Sequence, residues 1–310
     1  MDVNIDASCL RSSACTLAWY RTVHQGYRPK IHGAALIYGT AFHKFIDVMY
    51  KTNDMKAARN EAHKLFDVQK KDDQKKPFLS DFKHLVATCF DYWNEYILKD
   101  PTFDVLRLAD NTPATEATFR FKYRQYGTVT FWLCGTIDKI GKFHNGCYAV
   151  GDYKTTSAWD NKGYFKSYEL SVQLRFYVYA IKWMYRHYPE SILGRVGATT
   201  VGTFIDAVFL KDKLVEQKYV RSEVFRYNDD HMNEFKGMLD MALDRLGQNM
   251  MDVEAGKLSR PPMEGIISGF CEQKYGKCQF WNVCNAGING DLLLQRDFDV
   301  KEFNPLKYNE

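Results

Sequence analysis

Two carboxylates and one ammonium in the stretch Val129 to Thr156, VTFWLCGTIDKIGKFHNGCYAVGDYKTT, are placed where phosphodiester hydrolysis could use them. Hard cations such as Mg²⁺ and Mn²⁺ prefer carboxylate oxygens, and Asp138 and Asp152 would supply two ligand groups. A cation held there would polarise a phosphate and lower the pKa of a bound water. Lys154 would orient that water or stabilise the negative charge building in the transition state.

A β-hairpin must bring these groups together. Apolar and β-branched residues run into a turn at His144-Asn145-Gly146 and out through Cys147-Tyr148-Ala149-Val150. Side chains alternate along a strand, so Asp152 and Lys154 share a face and Tyr153 takes the other. A two-residue Asn145-Gly146 turn would set Asp138 against Tyr153, on the wrong face. A three-residue loop, with Gly146 left-handed, pairs Phe143 with Cys147 and sets Asp138 opposite Asp152. The three-residue loop, or an equivalent bulge, is therefore expected. The bland alternative is a surface hairpin with scattered charges.

The cysteines form a second set. Cys271, Cys278 and Cys284 lie within fourteen residues, CEQKYGKCQFWNVC. Three thiolates need a fourth ligand to close a four-coordinate site. Cys15 or Cys9 would supply it, with Cys15 preferred because it begins a segment, Cys-Thr-Leu-Ala-Trp-Tyr, suited to packing on the C-terminal residues. An all-cysteine set suits an iron–sulfur cluster or structural Zn²⁺. The spacing lacks the paired CxxC of a zinc ribbon, which tilts the choice toward iron–sulfur. Free buried thiols are the alternative, and Cys89, Cys134 and Cys147 read as core residues.

The flanking elements follow from periodicity. Ser8 to Arg21 reads as a short helix, and Gly33 as a break. A long helix opens near Thr40, a plausible N-cap, with Phe42, Phe45, Ile46 and Met49 at helical spacing. His43 lies one turn before Asp47. Residues 54–76 read as a polar helix and linker, and Pro77 to Leu98 as a helix with Phe82, Leu85, Phe90, Trp93 and Ile97 inward. Strands begin near Pro113. Thr115 to Tyr123 carries Arg120, Lys122 and Arg124 along one side, and Glu116 is a weaker candidate for the metal site. Tyr168 to His187 is an amphipathic helix in which Gln173 and Tyr177 lie one turn apart. Thr199 to Leu210 and Lys218 to Phe225 read as strands. Asp229 to Met251 reads as a helix with Met232, Phe235, Met238, Leu239, Ala242 and Leu246 inward. The expected fold class is α/β, with a mixed central sheet flanked by helices on both sides.

Composition sets the outer bounds. The chain has 310 residues, 45% of them hydrophobic and 26% charged, which suits a globular protein with a substantial core. A net charge of +4 permits an anionic partner without demanding one. No apolar run is long enough to span a membrane. The N-terminus lacks a signal peptide's basic start and apolar core. Unpaired cysteines suit a reducing, cytoplasmic location, which would be the host cytoplasm for a viral protein.

In order along the chain, GTAFH (39–43), GTID (135–138), DYK (152–154) and QLRFY (173–177) resemble the motifs of the RecB/AddB-type branch of the PD-(D/E)XK nucleases. The set of Cys15, Cys271, Cys278 and Cys284 is similar to that of the iron–sulfur members of that branch, including CRISPR-associated exonucleases. The resemblance implies a restriction-endonuclease-like core at 106–252 within a single nuclease domain of 310 residues. A helical N-terminal part (1–105) carries the first cluster cysteine, and a cluster segment and tail (253–310) the others. It implies metal ligation by His43, Asp138, Asp152 and the carbonyl of Tyr153, with Lys154 as the catalytic lysine. Gln173 and Tyr177 would position DNA or that lysine, and the four cysteines would hold a structural [4Fe–4S] cluster. The third motif has Asp where many relatives have Glu. The first cysteine lacks the usual following Pro, which leaves Cys9 against Cys15 open. No GxxxxGK[ST] motif accompanies them, so the expectation is a stand-alone nuclease or a subunit working with a helicase, recombination or CRISPR-type partner. Rings occur among relatives, which allows an oligomer.

The expected function is a Mg²⁺/Mn²⁺-dependent exonuclease on single-stranded or frayed DNA. Phosphate contacts are expected from Arg120, Lys122, Arg124, Lys166 and Arg175 by charge and position. The rivals are a catalytically idle DNA-binding or scaffold protein, an RNA nuclease and a structure-specific endonuclease.

Overall fold

A computed structural model describes residues 1–66, 70–71, 76–108, 110–158, 161–197, 199–273 and 276–306. Most of the expected linker within 54–76 lies outside these residues. The fold is mixed α/β, with a central mixed sheet flanked by helices. By contact density the chain divides into two compact units, one of residues 31–117 and 136–229, the other of 1–30, 118–135 and 230–310.

In the first unit the hairpin has the expected register. Lys139 pairs with Gly151 and Lys142 with Tyr148. The same register continues to Phe143, whose N–H donates to the Cys147 carbonyl at 2.8 Å. The loop is therefore the three residues His144-Asn145-Gly146, with Gly146 at φ +92°. One step the other way, Asp138 falls opposite Asp152. The second arm, Tyr148–Thr156, also pairs in parallel with Thr200–Phe209, which pairs antiparallel with Lys218–Arg221 and Phe225–Arg226. A short strand, Phe103–Val105, joins the first arm; its three residues are too few to show a period.

Helix Ala34–Thr52 packs its Ile37, Phe42, Phe45, Ile46 and Met49 face into a core with Tyr92, Trp93, Tyr153 and Val208. It starts one and a half turns before Thr40, with Gly33 as its N-cap. Thr40 is interior, and its hydroxyl donates to the Leu36 carbonyl at 3.0 Å, a bond that competes with the capping role. Gly39 lies where a Cβ would come 3.3 Å from Thr155 Oγ1, so the helix runs close over the second hairpin arm.

Helix Phe82–Asp91 continues as a π-turn, Tyr92–Ile97. Its buried stripe runs Leu85, Cys89, Tyr92 and Trp93, and Phe90, expected inward, is exposed one position off that stripe. Helix Val172–His187 is N-capped by Ser171, so Leu170 falls outside it and is exposed.

In the second unit, an N-terminal strand, Asp2–Ile5, pairs in parallel with Thr130–Leu133. Its four residues are too few for sequence patterning to separate from a loop. The expected Ser8–Arg21 helix is two short helices, Ala7–Ser12 and Thr16–Trp19, followed by a π-turn, Tyr20–His24. Helix Asp229–Glu254 buries Met232, Phe235, Leu239, Leu243 and Leu246 and leaves Met238 exposed.

Candidate active site

Three elements of the first unit converge on one acidic centre. His43 comes from helix Ala34–Thr52, Glu116 from the start of strand Thr115–Tyr126, and Asp138 from the first hairpin arm. Their ligand atoms lie within 4.8 Å of one another, close enough to share one cation. His43 Nδ1 is 3.4 Å from Asp138 Oδ2, and the same oxygen accepts the Tyr153 backbone N–H at 2.6 Å. Asp138 is thus tied to both its neighbouring helix and its partner strand.

Asp152 and Lys154 sit beside this centre on the second arm. Asp152 has no exposed surface. Its Oδ1 accepts from Gln173 Nε2 at 3.1 Å, and that amide also donates to the Tyr177 hydroxyl at 2.9 Å. Its Oδ2 pairs with the Lys154 ammonium at 2.5 Å. Asp152 is not one of the three groups that share the 4.8 Å cluster, and it meets Lys154 and Gln173 instead.

The charges act on one another. Burial disfavours ionised Asp138, but His43 and the hydrogen bond between them outweigh it, and the carboxyl is held below its ordinary value. Burial lifts Asp152 to about 6; Lys154 resists the rise and Asp138 adds to it. Burial first, and repulsion from Asp138 second, lift Glu116 to about 7. Burial would lower His43, but Asp138 above all, with Glu116, raises it to about 9. Lys154 is raised despite burial, because Asp152 and Asp138 both favour its ammonium form.

Glu116 carries backbone strain. Its φ is +46°, a left-handed conformation that an L side chain with a Cβ adopts at a cost of roughly 1–3 kcal/mol. Its neighbour Thr115 is pinned: the Thr115 hydroxyl donates to Asp47 Oδ1 at 2.7 Å, and Lys51 pairs with Asp47 at 2.7 Å. Asp47 and Thr115 are both 4% exposed. Thr115→Val keeps the shape and leaves that buried carboxylate without one donor, which should cost about 1–3 kcal/mol. We expect a matching fall in urea-unfolding stability and several-fold weaker Mn²⁺ binding by calorimetry. If neither moves, Asp47 does not hold Glu116 in place.

The proposed phosphate contacts divide between the units. Lys166 is exposed in the first unit, and the Arg175 guanidinium lies 5.6 Å from the Tyr227 ring centre. In the second unit, Arg124 is drawn to Asp240 at 3.2 Å and Asp244 at 2.7 Å, which neutralise it. Arg120 donates to Asn4 Oδ1 at 2.9 Å and stacks 4.0 Å from the Trp132 ring centre. Lys122 is exposed.

The second unit also holds the cysteine set. Cys15, Cys278, Phe280, Val283 and Leu294 share one buried cluster, with Cys284 packed against it. Burial raises the Cys271 and Cys278 thiols, and the nearby Cys15 and Cys284 raise each of them further. Gly265 closes the cradle: a Cβ there would come 3.0 Å from Cys271 Sγ and 3.1 Å from Cys15 Sγ. Cys9 lies apart, buried with Asp6 and Cys134, so Cys15 is the cysteine placed with the C-terminal three.

Sequence patterning gave Glu116 only secondary weight, since nothing around Pro113-Ala114 signals a left-handed turn of the backbone. The model of the PD-(D/E)XK nuclease superfamily matches residues 11–285 of the chain. No curated protein matches it significantly.

Proposed function

We propose that this chain, which belongs to the PD-(D/E)XK nuclease superfamily, is a Mg²⁺- or Mn²⁺-dependent DNA exonuclease of its RecB/AddB-type iron–sulfur branch. The observation that carries the proposal is the cluster of His43, Glu116 and Asp138 beside the ion pair of buried Asp152 with Lys154. The donors fit a hard divalent cation: two carboxylates and an imidazole, with the Asp152 carboxylate beside them. His43, Asp138, Asp152 and the Tyr153 carbonyl would hold it, joined by Glu116. When bound, the cation supplies a Lewis acid for the phosphate and acidifies a water.

The chain's own groups do the rest. Asp152 fixes Lys154, whose ammonium orients the attacking water and offsets charge developing on the phosphate. Gln173 bridges Asp152 and the Tyr177 hydroxyl, so one helix sets the orientation of the carboxylate that holds the lysine. Lys166 and Arg175 lie in the same unit and would take backbone phosphates.

The cysteine set would hold a [4Fe–4S] cluster with a structural role. Four thiols free of disulfides, an apolar surround and a glycine where a Cβ would meet two of the sulfurs fit a compact inorganic group. Structural Zn²⁺ is the alternative, and colourless protein with stoichiometric zinc would replace the iron–sulfur assignment.

Degradation of end-labelled single-stranded DNA, double-stranded DNA and RNA with Mn²⁺ tests the activity. Progressive shortening of DNA from one end is expected. Internal cuts would make it an endonuclease, and a preference for RNA a ribonuclease. Binding without cleavage by iron-loaded protein would make it a binding module. Among the described residues no helix is long and apolar enough to cross a membrane.

Metal binding should depend on pH. Glu116 near 7, Asp152 near 6 and His43 near 9 hold protons that a cation must displace. Below those values protons compete with the metal, and above them the ligands are free. Apparent Mn²⁺ affinity should therefore rise from pH 6 to 9, with proton release measurable by calorimetry in buffers of different ionisation enthalpy. An affinity flat across that range would remove these groups as ligands.

A further inference from the structure

The Arg21 guanidinium is buried against the cysteine set, and among the described residues no carboxylate pairs with it. The residue is 6% exposed. Its Nη1 donates to Cys284 Sγ at 3.2 Å, and its guanidinium lies 5.5 Å from the Phe280 ring centre. Among the described residues, no acidic group forms an ion pair with it. Arginine stays charged in proteins, and an unpaired buried charge is strongly disfavoured. A ring face offsets part of that cost, and a neutral thiol is only a weak acceptor.

The local backbone directs this contact. Cys15 precedes helix Thr16–Trp19, and the Trp19 N–H donates to its carbonyl at 3.0 Å. The π-turn Tyr20–His24 then widens the coil at Arg21. Such single π-turns occur often at functional sites, since the extra residue re-aims a side chain.

We propose that Arg21 is the counter-ion of an anionic metal–thiolate centre at Cys15, Cys271, Cys278 and Cys284, and that its N–H···S contact makes the centre easier to reduce. The proposal rests on the iron–sulfur assignment made above. A [4Fe–4S]²⁺ core with four thiolates carries two net negative charges, and that anion is the partner the buried guanidinium lacks. Reduction adds one electron and a third negative charge; no bond breaks, and Arg21 keeps its proton. A fixed cation with a donor on one sulfur favours the more negative state, one of the ways a protein sets cluster potential.

The test compares the full chain with Arg21→Gln and Arg21→Lys, each reconstituted anaerobically. Iron and sulfide are counted per chain, and the centre is titrated with dithionite under redox mediators and followed by paramagnetic resonance. Arg21→Gln should hold the cluster and shift the reduction equilibrium about tenfold toward the oxidised form, or about 59 mV for one electron. Arg21→Lys keeps the charge and should shift it much less. Equal potentials in wild type and Arg21→Gln, at equal iron content, overturn the role of Arg21 and leave the cluster standing. If Arg21→Gln loses iron, Arg21→Lys decides: retained iron supports the counter-ion role, and loss from both folded variants overturns it. Zinc in place of iron in the wild type overturns the cluster assignment itself, and the reduction claim with it.

Discussion

Asp152→Asn should lower Mn²⁺-supported DNA cleavage about a thousandfold, the scale expected when one preorganised charge is removed from a transition-state site. The substitution keeps the volume and the hydrogen-bonding reach toward Gln173, whose amide lies 3.1 Å from Asp152 Oδ1. What it removes is the charge that meets Lys154 at 2.5 Å. The loss should appear without a fall in metal-free stability. Burial lifts the Asp152 carboxyl to about 6, above its unfolded value, so the group favours folding below that pH and is a burden once ionised. At pH 8 an uncharged asparagine relieves that burden, while Lys154 keeps Asp138 as a stabilising charge. Steady-state cleavage and thermal unfolding, measured on the same preparations, check both halves. Wild-type cleavage by Asp152→Asn would place the chemistry elsewhere, and a collapse in stability would make Asp152 a fold residue first.

The hairpin was legible because turn chemistry and face alternation constrain it together. Gly146 at the third loop position fixes the register, and the register puts Asp138 opposite Asp152. The order of the helices and long strands was legible for the same reason: their apolar residues repeat at one period over enough positions to be distinctive. Features decided by a single residue were not. The π-turns at Tyr20–His24 and Tyr92–Ile97 each insert one residue into a helical run and shift the buried face, which no period in the sequence announces. The left-handed Glu116 follows Thr115, whose hydroxyl bonds Asp47, a residue sixty-nine positions before Glu116 in the chain. The pairing of Arg124 with Asp240 and Asp244 is also tertiary, and it takes charge from a side chain that sequence alone offered to phosphate.

Alternation also places a second set of charges behind the first, and breaking it should carry the largest stability cost in the unit. Lys139 follows Asp138 and therefore takes the opposite face of the same strand. There it packs 4.3 Å from the centre of the Tyr153 ring and pairs with the Asp206 carboxylate. Asp206 is Tyr153's register partner on the next strand. It also accepts Arg221 Nε at 2.8 Å and the Tyr96 hydroxyl at 2.9 Å, while Arg221 reaches Asp100 at 2.7 Å. Two cations and two anions balance. Asp206 has no exposed surface and Lys139 only 1%. Burial opposes ionised Asp206, but Lys139 and Arg221 outweigh it and hold the carboxyl below its usual value. A depressed folded pKa contributes stability that is present above the unfolded value near 4 and lost only as pH falls through the folded one. Asp206→Ala leaves two cations with one carboxylate, and one-sided loss of a buried pair costs about 3–5 kcal/mol. In thermal unfolding that corresponds to a fall of roughly 10 °C. Removing Lys139 as well, in Asp206→Ala with Lys139→Met, should recover more than half of the loss, because the two residues are directly coupled. A cost under about 1 kcal/mol for Asp206→Ala would mean that water already compensates these charges. Tyr153 would then not be clamped from behind, although its backbone N–H holds Asp138 at the front. If the cost is as expected, the buried pairs are what fix the central strands beneath the proposed metal ligands, and Asp206→Ala should lose Mn²⁺ affinity along with stability.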